Sequence, residues 1–326
     1  MWITSSLSTA RTPTAIALGN FDGVHRGHQK VFAPILQRVS SELVHSGNGT
    51  DGDSATVDRL IPTVVTFVPH PREFFTGDRR LLLTPLDEKV RVLDQLGLKQ
   101  LMLLPFNQDL ANLSPHDFVK QILIDGLKAQ YISVGQDFCF GRGRKGTTED
   151  LRAIASSYGA RVTIVPLYTE GGDRISSSAI RNALSNGNVA QANHLLGRPY
   201  SLSGTVIQGQ QLGRTIGFPT ANLDVTDQKW LPRQGVYSVW LTVEGDRRAG
   251  VMNIGQRPTV DGVRQTTEVH VLDWTGDLYG RSLTVELHDF LRPEQKFESL
   301  DALKQQIHAD CDRARRQLSA VSCDRG

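Results

Sequence analysis

Gly19-Asn20-Phe21-Asp22-Gly23-Val24-His25-Arg26-Gly27-His28 lies between a short apolar run, residues 15–18, and a segment, residues 29–44, in which Val31, Phe32, Ile35, Leu36, Val39 and Leu43 recur at helical spacing. The run reads as a β-strand and the segment as an amphipathic helix, so the ten residues form a strand-to-helix turn. Such a turn presents backbone N–H groups and the positive end of a helix dipole to an anion, and its glycines let the main chain approach a phosphate closely. His25 and His28 are carried to the same spot. Two imidazoles at this spacing suit a metal half-site, a catalytic pair or two unrelated surface histidines, and the Gly-rich setting favours function.

Downstream, residues 45–59 are polar, Gly-rich and without periodicity, as expected of a surface loop. Strands are expected at 63–68, 101–104, 131–134 and 162–165, and helices at 86–96, behind Ser114-Pro115 with Asp117 at the third position, and at 148–158. Pro69 and Pro71 around His70 predict an extended turn without helix. The repeated strand–helix alternation predicts an α/β fold, a parallel sheet with helices on both faces and ligands at the carboxyl ends of its strands. Val134-Gly135-Gln136-Asp137-Phe138-Cys139-Phe140-Gly141 and the basic residues after it follow one such end, where a binding loop and a solvated loop both fit. Ser176-Ser177-Ser178 with Arg181 one turn on reads as a capped helix start, and the same hydroxyls, helix N–H groups and guanidinium suit β- and γ-phosphates.

Past a helical stretch at 184–195 the pattern changes to closely spaced short strands, at 200–207, 236–243, 248–253, 267–272 and 283–290. They predict a small antiparallel barrel, closed on one side by an amphipathic helix at 300–317, with a frayed tail from 319 to 326. The domains are therefore expected as 1–187 and 188–326. In Gly213-Arg214-Thr215-Ile216-Gly217-Phe218-Pro219-Thr220-Ala221-Asn222-Leu223, the Thr220 hydroxyl and Asn222 amide oxygen suit a hard cation such as Mg²⁺, or a tight turn with a polar cap. On the strand at 267–272, Glu268, His270 and Leu272 face one way and Thr267, Val269 and Val271 the other, a solvent face or a site wall.

Composition narrows the class. With 326 residues, 36 Lys+Arg against 34 Asp+Glu and a net charge of +2, nothing calls for nucleic acid or an anionic membrane as a partner. No apolar run approaches a membrane span and the first residues lack a signal-peptide pattern, so a cytoplasmic protein is expected. Cys139, Cys311 and Cys323 are odd in number and widely spaced, which supports neither a disulfide framework nor a zinc knuckle.

The first stretch resembles the His-x-Gly-His signature of the adenylyl- and cytidylyltransferase superfamily, and in its longer form the bacterial FAD synthetase branch; the loops at 134–141 and 175–181 resemble motifs of the same branch. The 213–223 stretch, Asn253-Ile254-Gly255-Gln256-Arg257-Pro258-Thr259, Glu268-Val269-His270, Leu278-Tyr279-Gly280 and Leu291-Arg292 with Lys296-Phe297 occur in the order seen in riboflavin kinases. Over nearly its whole length the chain thus resembles the bacterial bifunctional riboflavin kinase and FAD synthetase family, with residues 45–59 as an insertion. The resemblance implies a Rossmann-like nucleotidyltransferase domain followed by a kinase barrel, acting on riboflavin, FMN, FAD and ATP with Mg²⁺. It implies Glu268 as kinase base, Thr220 and Asn222 as metal ligands, and His25 and His28 as catalytic histidines. It further implies Gly19, Asn20, Phe21, Asp22, Gly23, Gly27, Ser177, Ser178, Arg181, Gly213, Arg214 and Gly217 on ATP or its phosphates, and Asp137, Phe138 and Arg292 on flavin. Two other readings stand beside it: a nucleotidyltransferase of the same fold with another acceptor, which would not carry the Pro-Thr-Ala-Asn barrel, and a flavin-binding regulator, which would need no base. Sequence leaves the oligomeric state open.

Overall fold

All five residues of the strand Thr14–Leu18 are buried, the pattern of a central strand covered on both faces. In the computed structural model, which describes residues 1–46, 59–171, 173–209, 213, 216–259 and 262–323, this is β2 of a six-stranded parallel sheet. The others are β1 (Trp2–Thr4), β3 (Ile61–Val68), β4 (Gln100–Pro105), β5 (Ala129–Gly135) and β6 (Arg161–Val165), in the order β1-β4-β3-β2-β5-β6. The chain steps outward from β2 through β3 to β4 and returns to the other side of β2 as β5. The switch point therefore lies between β2 and β5, and the crevice beyond their carboxyl ends is where such sheets bind ligands. Gly19 and Gln136 begin the loops that leave these two strands.

Helices α1 (Arg26–Ser46), α2 (Pro71–Thr76), α3 (Leu86–Gln95), α4 (Gln108–Asn112), α5 (Pro115–Asp117, running on as a π-helix over Phe118–Gly126) and α6 (Thr148–Ser157) accompany the sheet. Alternation along β2 sorts its two faces. Ala15 and Ala17 pack with Val31, Phe32 and Ile35 of α1 and Leu93 of α3, whereas Ile16 and Leu18 pack with Val119, Ile122 and Leu123 of the π-helix and Leu151 of α6. A hairpin of β7 (Thr169–Glu170) and β8 (Asp173–Arg174) follows.

Three readings are corrected here. The three residues of β1 are too few to show a period, and this edge strand was not expected. The helix α1 runs to Ser46, so residues 45 and 46 belong to it, and 47–58 of the expected loop lie outside the described residues. Most instructive is α2, where an extended turn without helix was expected. His70 is its N-cap and Pro71 occupies the first helical position, where a missing N–H costs nothing. The His70 ring nitrogen Nδ1 accepts from Arg72 N–H (3.0 Å) while Glu73 Oε2 accepts from His70 N–H (3.0 Å). Burial first, and Arg80 beside the ring second, hold the His70 pKa below its ordinary 6.5. The neutral ring is the one that caps, so its contribution is whole above pH 6.5 and is lost as the pH falls from there through the lower folded value. Urea midpoints of the parent should drop over that interval more than those of His70→Asn, which caps without titrating; parallel curves would exclude the effect.

The chain divides into two compact units, Met1–Arg80 with Thr84–Ser176, and Leu81–Leu83 with Ser177–Gly326. The second opens with α7 (Ser177–Ser185) and α8 (Val189–Leu196), separated at Gly187, whose φ of 76° suits glycine. Its barrel is built from β9 (Ser201–Ile207), β10 (Ala221–Val225), β11 (Gly235–Val243), β12 (Asp246–Thr259), β13 (Gly262–Val271) and β14 (Ser282–Arg292), closed in the order β10-β13-β12-β11-β14-β9 with every pair antiparallel. Residues 248–253 were expected as a short strand, but β12 runs from Asp246 to Thr259. The strand β10 was expected as a turn, because Asn222 and Asp224 are turn-favouring residues and outweighed the apolar/polar alternation of its five residues. The terminal helix α9 (Leu300–Cys323) lays Cys311, Ala314 and Leu318 on Phe218, Val236, Val251, Leu272 and Leu291. It continues past residue 317, so the expected frayed tail is helical as far as Cys323.

Candidate active sites

The turn after β2 has an unusual backbone. Phe21 (φ 50°) and Val24 (φ 45°) are left-handed as well as Gly23 (φ 92°), and for a β-branched residue that conformation costs on the order of 1–3 kcal/mol. Fixed contacts from beneath hold it. Thr66 Oγ1 (3.2 Å) and Lys89 Nζ (3.1 Å) both donate to Asn20 O, and Thr84 N–H donates to Asp22 Oδ1 (3.2 Å). Lys89 and Asp22 are buried, and burial lowers the Lys89 pKa while the Asp22 carboxylate works against that shift. Asp22 therefore spends its carboxylate inside the protein. Lys89→Met should remove a charged donor from a buried carbonyl at a cost of about 1–3 kcal/mol and lower the urea midpoint; an unchanged midpoint would show that the turn holds itself.

On this frame the two histidines lie face to face, ring centroids 3.5 Å apart and planes 17° from parallel. His25 is buried, and its Nδ1 accepts from the backbone N–H of His28 (3.3 Å), which leaves Nε2 to carry the proton of the neutral ring. Phe21 meets His28 edge-on (5.2 Å) and Phe32 behind it (4.8 Å). A Cβ on Gly27 would stand 3.2 Å from His25 Nδ1 and Cε1, so glycine lets the ring lie against the first turn of α1. Arg26 is turned to Glu170, with which it is ion-paired, and to the Tyr168 hydroxyl (3.1 Å).

Beyond β5, the Asp137 carboxylate is ion-paired with Arg174, and Phe138 stacks on Phe140 (5.9 Å). Sequence reasoning passed over an aromatic group at the carboxyl ends of β3 and β4: Phe106 meets Phe67 (5.8 Å), Phe74 (5.3 Å) and Phe75 (5.9 Å), and Phe75 is 69% exposed. The signal was present in Phe74-Phe75, two aromatics on a helix too short to show a period. Ser177 and Ser178 form the first turn of α7, in the second compact unit, and Arg181 donates to Leu81 O (3.0 Å) and lies over the Trp230 ring (5.3 Å).

In the barrel, pairing brings the expected kinase residues together. Asn222 of β10 stands opposite Glu268 of β13, and Asn253 of β12 stands opposite the same Glu268 on its other side. Thr220, just before β10, donates its hydroxyl to Glu268 Oε2 (3.2 Å). The neighbouring Ala221 and Val269 are buried, so the polar row occupies the opposite face of the two strands. Thr220 borders a cavity of ≈ 490 Å³ shared with Trp274, Leu278 and Tyr279, and Asn222 borders another of ≈ 940 Å³ shared with Gln208, Gln256 and Thr267. Gly213 is closely enclosed: its carbonyl accepts from Phe218 N–H (2.8 Å), and a Cβ there would collide with Phe218 O. Gly217 has φ 94°. Arg214 lies outside the described residues. Arg292 is held by the Asp310 carboxylate of α9, through Nε (2.9 Å) and Nη2 (2.8 Å), with Phe297 beside it (5.7 Å). Among the described residues no three His, Cys, Asp or Glu side chains gather as a metal site, and no helix is long and apolar enough to cross a membrane.

Comparison with known proteins bears on both units. The FAD synthetase family model matches residues 7–179 and the riboflavin kinase model residues 196–318. The bifunctional riboflavin kinase/FMN adenylyltransferase of Escherichia coli (strain K12) is 42% identical, with 90% of each chain covered. The proteins of the same description from Pseudomonas fluorescens (41%; 94% of each chain) and Bacillus subtilis (strain 168) (39%; 94% of this chain and 93% of that one) are similar. A Streptococcus pneumoniae crystal structure described as a macrolide-efflux protein superposes with a TM-score of 0.83 at 31% identity, over 96% of this chain and 98% of that one. The chain belongs to the bifunctional riboflavin kinase/FMN adenylyltransferase family, with its FAD synthetase domain amino-terminal and its riboflavin kinase domain carboxy-terminal.

Proposed function

We propose that residues 188–326 convert riboflavin to FMN, that residues 1–187 convert FMN to FAD, and that the side chains described above carry the two steps. The observation that carries the reading is the contact of Thr220, which lines one cavity, with Glu268, whose ladder partner Asn222 lines another. Phosphoryl transfer needs two substrates aligned across one point, with a proton acceptor and charge neutralisation there. Glu268 takes the proton of riboflavin's terminal ribityl hydroxyl as its oxygen bonds to the γ-phosphorus of ATP and the bond to the β-phosphate oxygen breaks, leaving FMN and ADP. The donor set fits Mg²⁺: a hydroxyl and an amide oxygen beside a carboxylate are hard oxygen ligands, too few to complete a shell without nucleotide phosphates. Bound there by Thr220 and Asn222, Mg²⁺ would neutralise charge on the transferred phosphoryl group. Gly213, Arg214 and Gly217 are assigned to the ATP phosphates, and Arg292, which fixes β14 to α9, to the flavin.

In the first domain an FMN phosphate oxygen bonds to the α-phosphorus of ATP and pyrophosphate leaves. The nucleophile is already an anion and needs no base. Charge grows on the phosphorus and on the leaving group, and the His25 and His28 rings with the N–H groups of Gly27 and the α1 terminus meet it, a role that uses imidazoles as donors. Ser177, Ser178 and Arg181 are assigned to the leaving phosphates. The exposed aromatic group around Phe75 and Phe106, with Phe138 and Asp137, suits the planar flavin ring. A chromatographic time course of riboflavin with excess ATP and Mg²⁺ tests the whole: FMN should rise and then give way to FAD. FMN accumulating alone would remove the transferase half, no conversion of riboflavin would remove the kinase half, and supplied FMN tests the transferase by itself.

A further inference from the structure

The ladder between β10 and β13 stops at Ala221 opposite Val269. One step earlier Thr220 would face His270, but Pro219, the residue before it, has no N–H to continue the pairing. The side chain of His270 takes over. Its Nδ1 lies 2.8 Å from Pro219 O, and since a carbonyl only accepts, Nδ1 carries the proton and donates. Two residues away on the same face of β13, Glu268 accepts from the Thr220 hydroxyl. Thus β13 grips Pro219 and Thr220 by two side chains, one on the carbonyl and one on the hydroxyl. Phe218, itself buried, stands edge-on to His270 (5.7 Å) and to His308 of α9 (4.8 Å).

We infer that His270 is a positioning residue for the kinase reaction: its Nδ1–H, bonded to Pro219 O, sets the Thr220 oxygen where it can serve Glu268 and a nucleotide-bound divalent cation together. The inference rests on the kinase reading of Thr220 and Glu268. Without the bond, the peptide between Pro219 and Thr220 is free to rotate about a segment with no ladder hydrogen bonds, and the hydroxyl loses its fixed place. The effect belongs in the affinity for Mg²⁺-ATP, because Thr220 meets the nucleotide before any proton moves. Losing one hydrogen bond corresponds to about a three- to tenfold change.

The test uses the full chain with His270→Phe, which keeps a flat ring against Phe218 and removes the donor, and His270→Asn, whose amide N–H₂ can stand where Nδ1 stands. For His270→Phe the KM for Mg²⁺-ATP in riboflavin phosphorylation should rise about three- to tenfold, with the Mg²⁺ concentration giving half-maximal rate rising alongside and kcat changing less. His270→Asn should recover most of that loss. FAD formation from supplied FMN should match the parent in both variants, which reports that the chain is folded. Parent-like KM and Mg²⁺ dependence in His270→Phe would overturn the inference, as would equal impairment of both variants. Thr220→Ala is run beside them: if it leaves phosphorylation intact, the kinase reading of the site fails, an outcome distinct from the failure of His270 alone.

Discussion

Glu268→Gln is expected to slow riboflavin phosphorylation by about two to four orders of magnitude and to leave FAD formation from supplied FMN at the parent rate. The substitution keeps the side chain's shape, so Thr220 still has an oxygen to donate to, and the flanking Asn222 and Asn253 keep their places across the ladder. On the proposed reading, what is lost is the group able to accept and hold the proton of the attacking hydroxyl, together with one negative charge beside Thr220 and Asn222. The loss should fall mainly on kcat, because a proton acceptor contributes in the transition state rather than in substrate binding. Initial rates of FMN formation at saturating riboflavin and ATP measure it directly. Parent-like turnover would return Glu268 to a solvated strand position and leave the Thr220 contact as a cap.

The alternation of the first half was legible because its longer helices show a 3.6-residue period and most of its strands are continuous apolar runs of the buried parallel type. Where an element was very short or carried turn-favouring residues, the signal failed. The strand β1 has three residues, the five of β10 include the turn-favouring Asn222 and Asp224, and α2 has six residues opened by a proline that fits its first position. Site chemistry divided along a different line. Residue types such as two histidines in a Gly-rich turn were readable, but their partners were not. Nothing in the sequence says that Lys89 reaches back 69 residues to Asn20 O, that Asp22 turns inward, or that Arg292 is taken by Asp310. The Thr220–Glu268 contact joins positions 48 apart and depends on a strand register that only the closed barrel fixes. Sequence thus names reacting groups, while the groups that hold them come from long-range packing.

His28→Ala is the complementary experiment: FAD formation should fall about 10²- to 10³-fold while FMN formation is unchanged, so that FMN accumulates in the time course. The turn should survive the substitution. His25 Nδ1 is satisfied by the backbone N–H of residue 28, which alanine retains, and Thr66, Lys89 and Thr84 still hold Asn20 and Asp22 from beneath. Phe21 loses an edge contact with the imidazole but keeps Phe32. On the proposed reading, what disappears is one donor to the charge that grows during attack on the α-phosphorus. That charge is the same in both directions, because FAD and pyrophosphate return to FMN and ATP through the same transition state. The reverse reaction must then slow by the same factor as the forward one, at unchanged equilibrium, which a variant that only weakens FMN or ATP binding would not do when each substrate is saturating. Equal loss of both FMN and FAD formation would point instead to a folding defect, and parent-like FAD formation in both directions would make the stacked pair a structural feature of the turn.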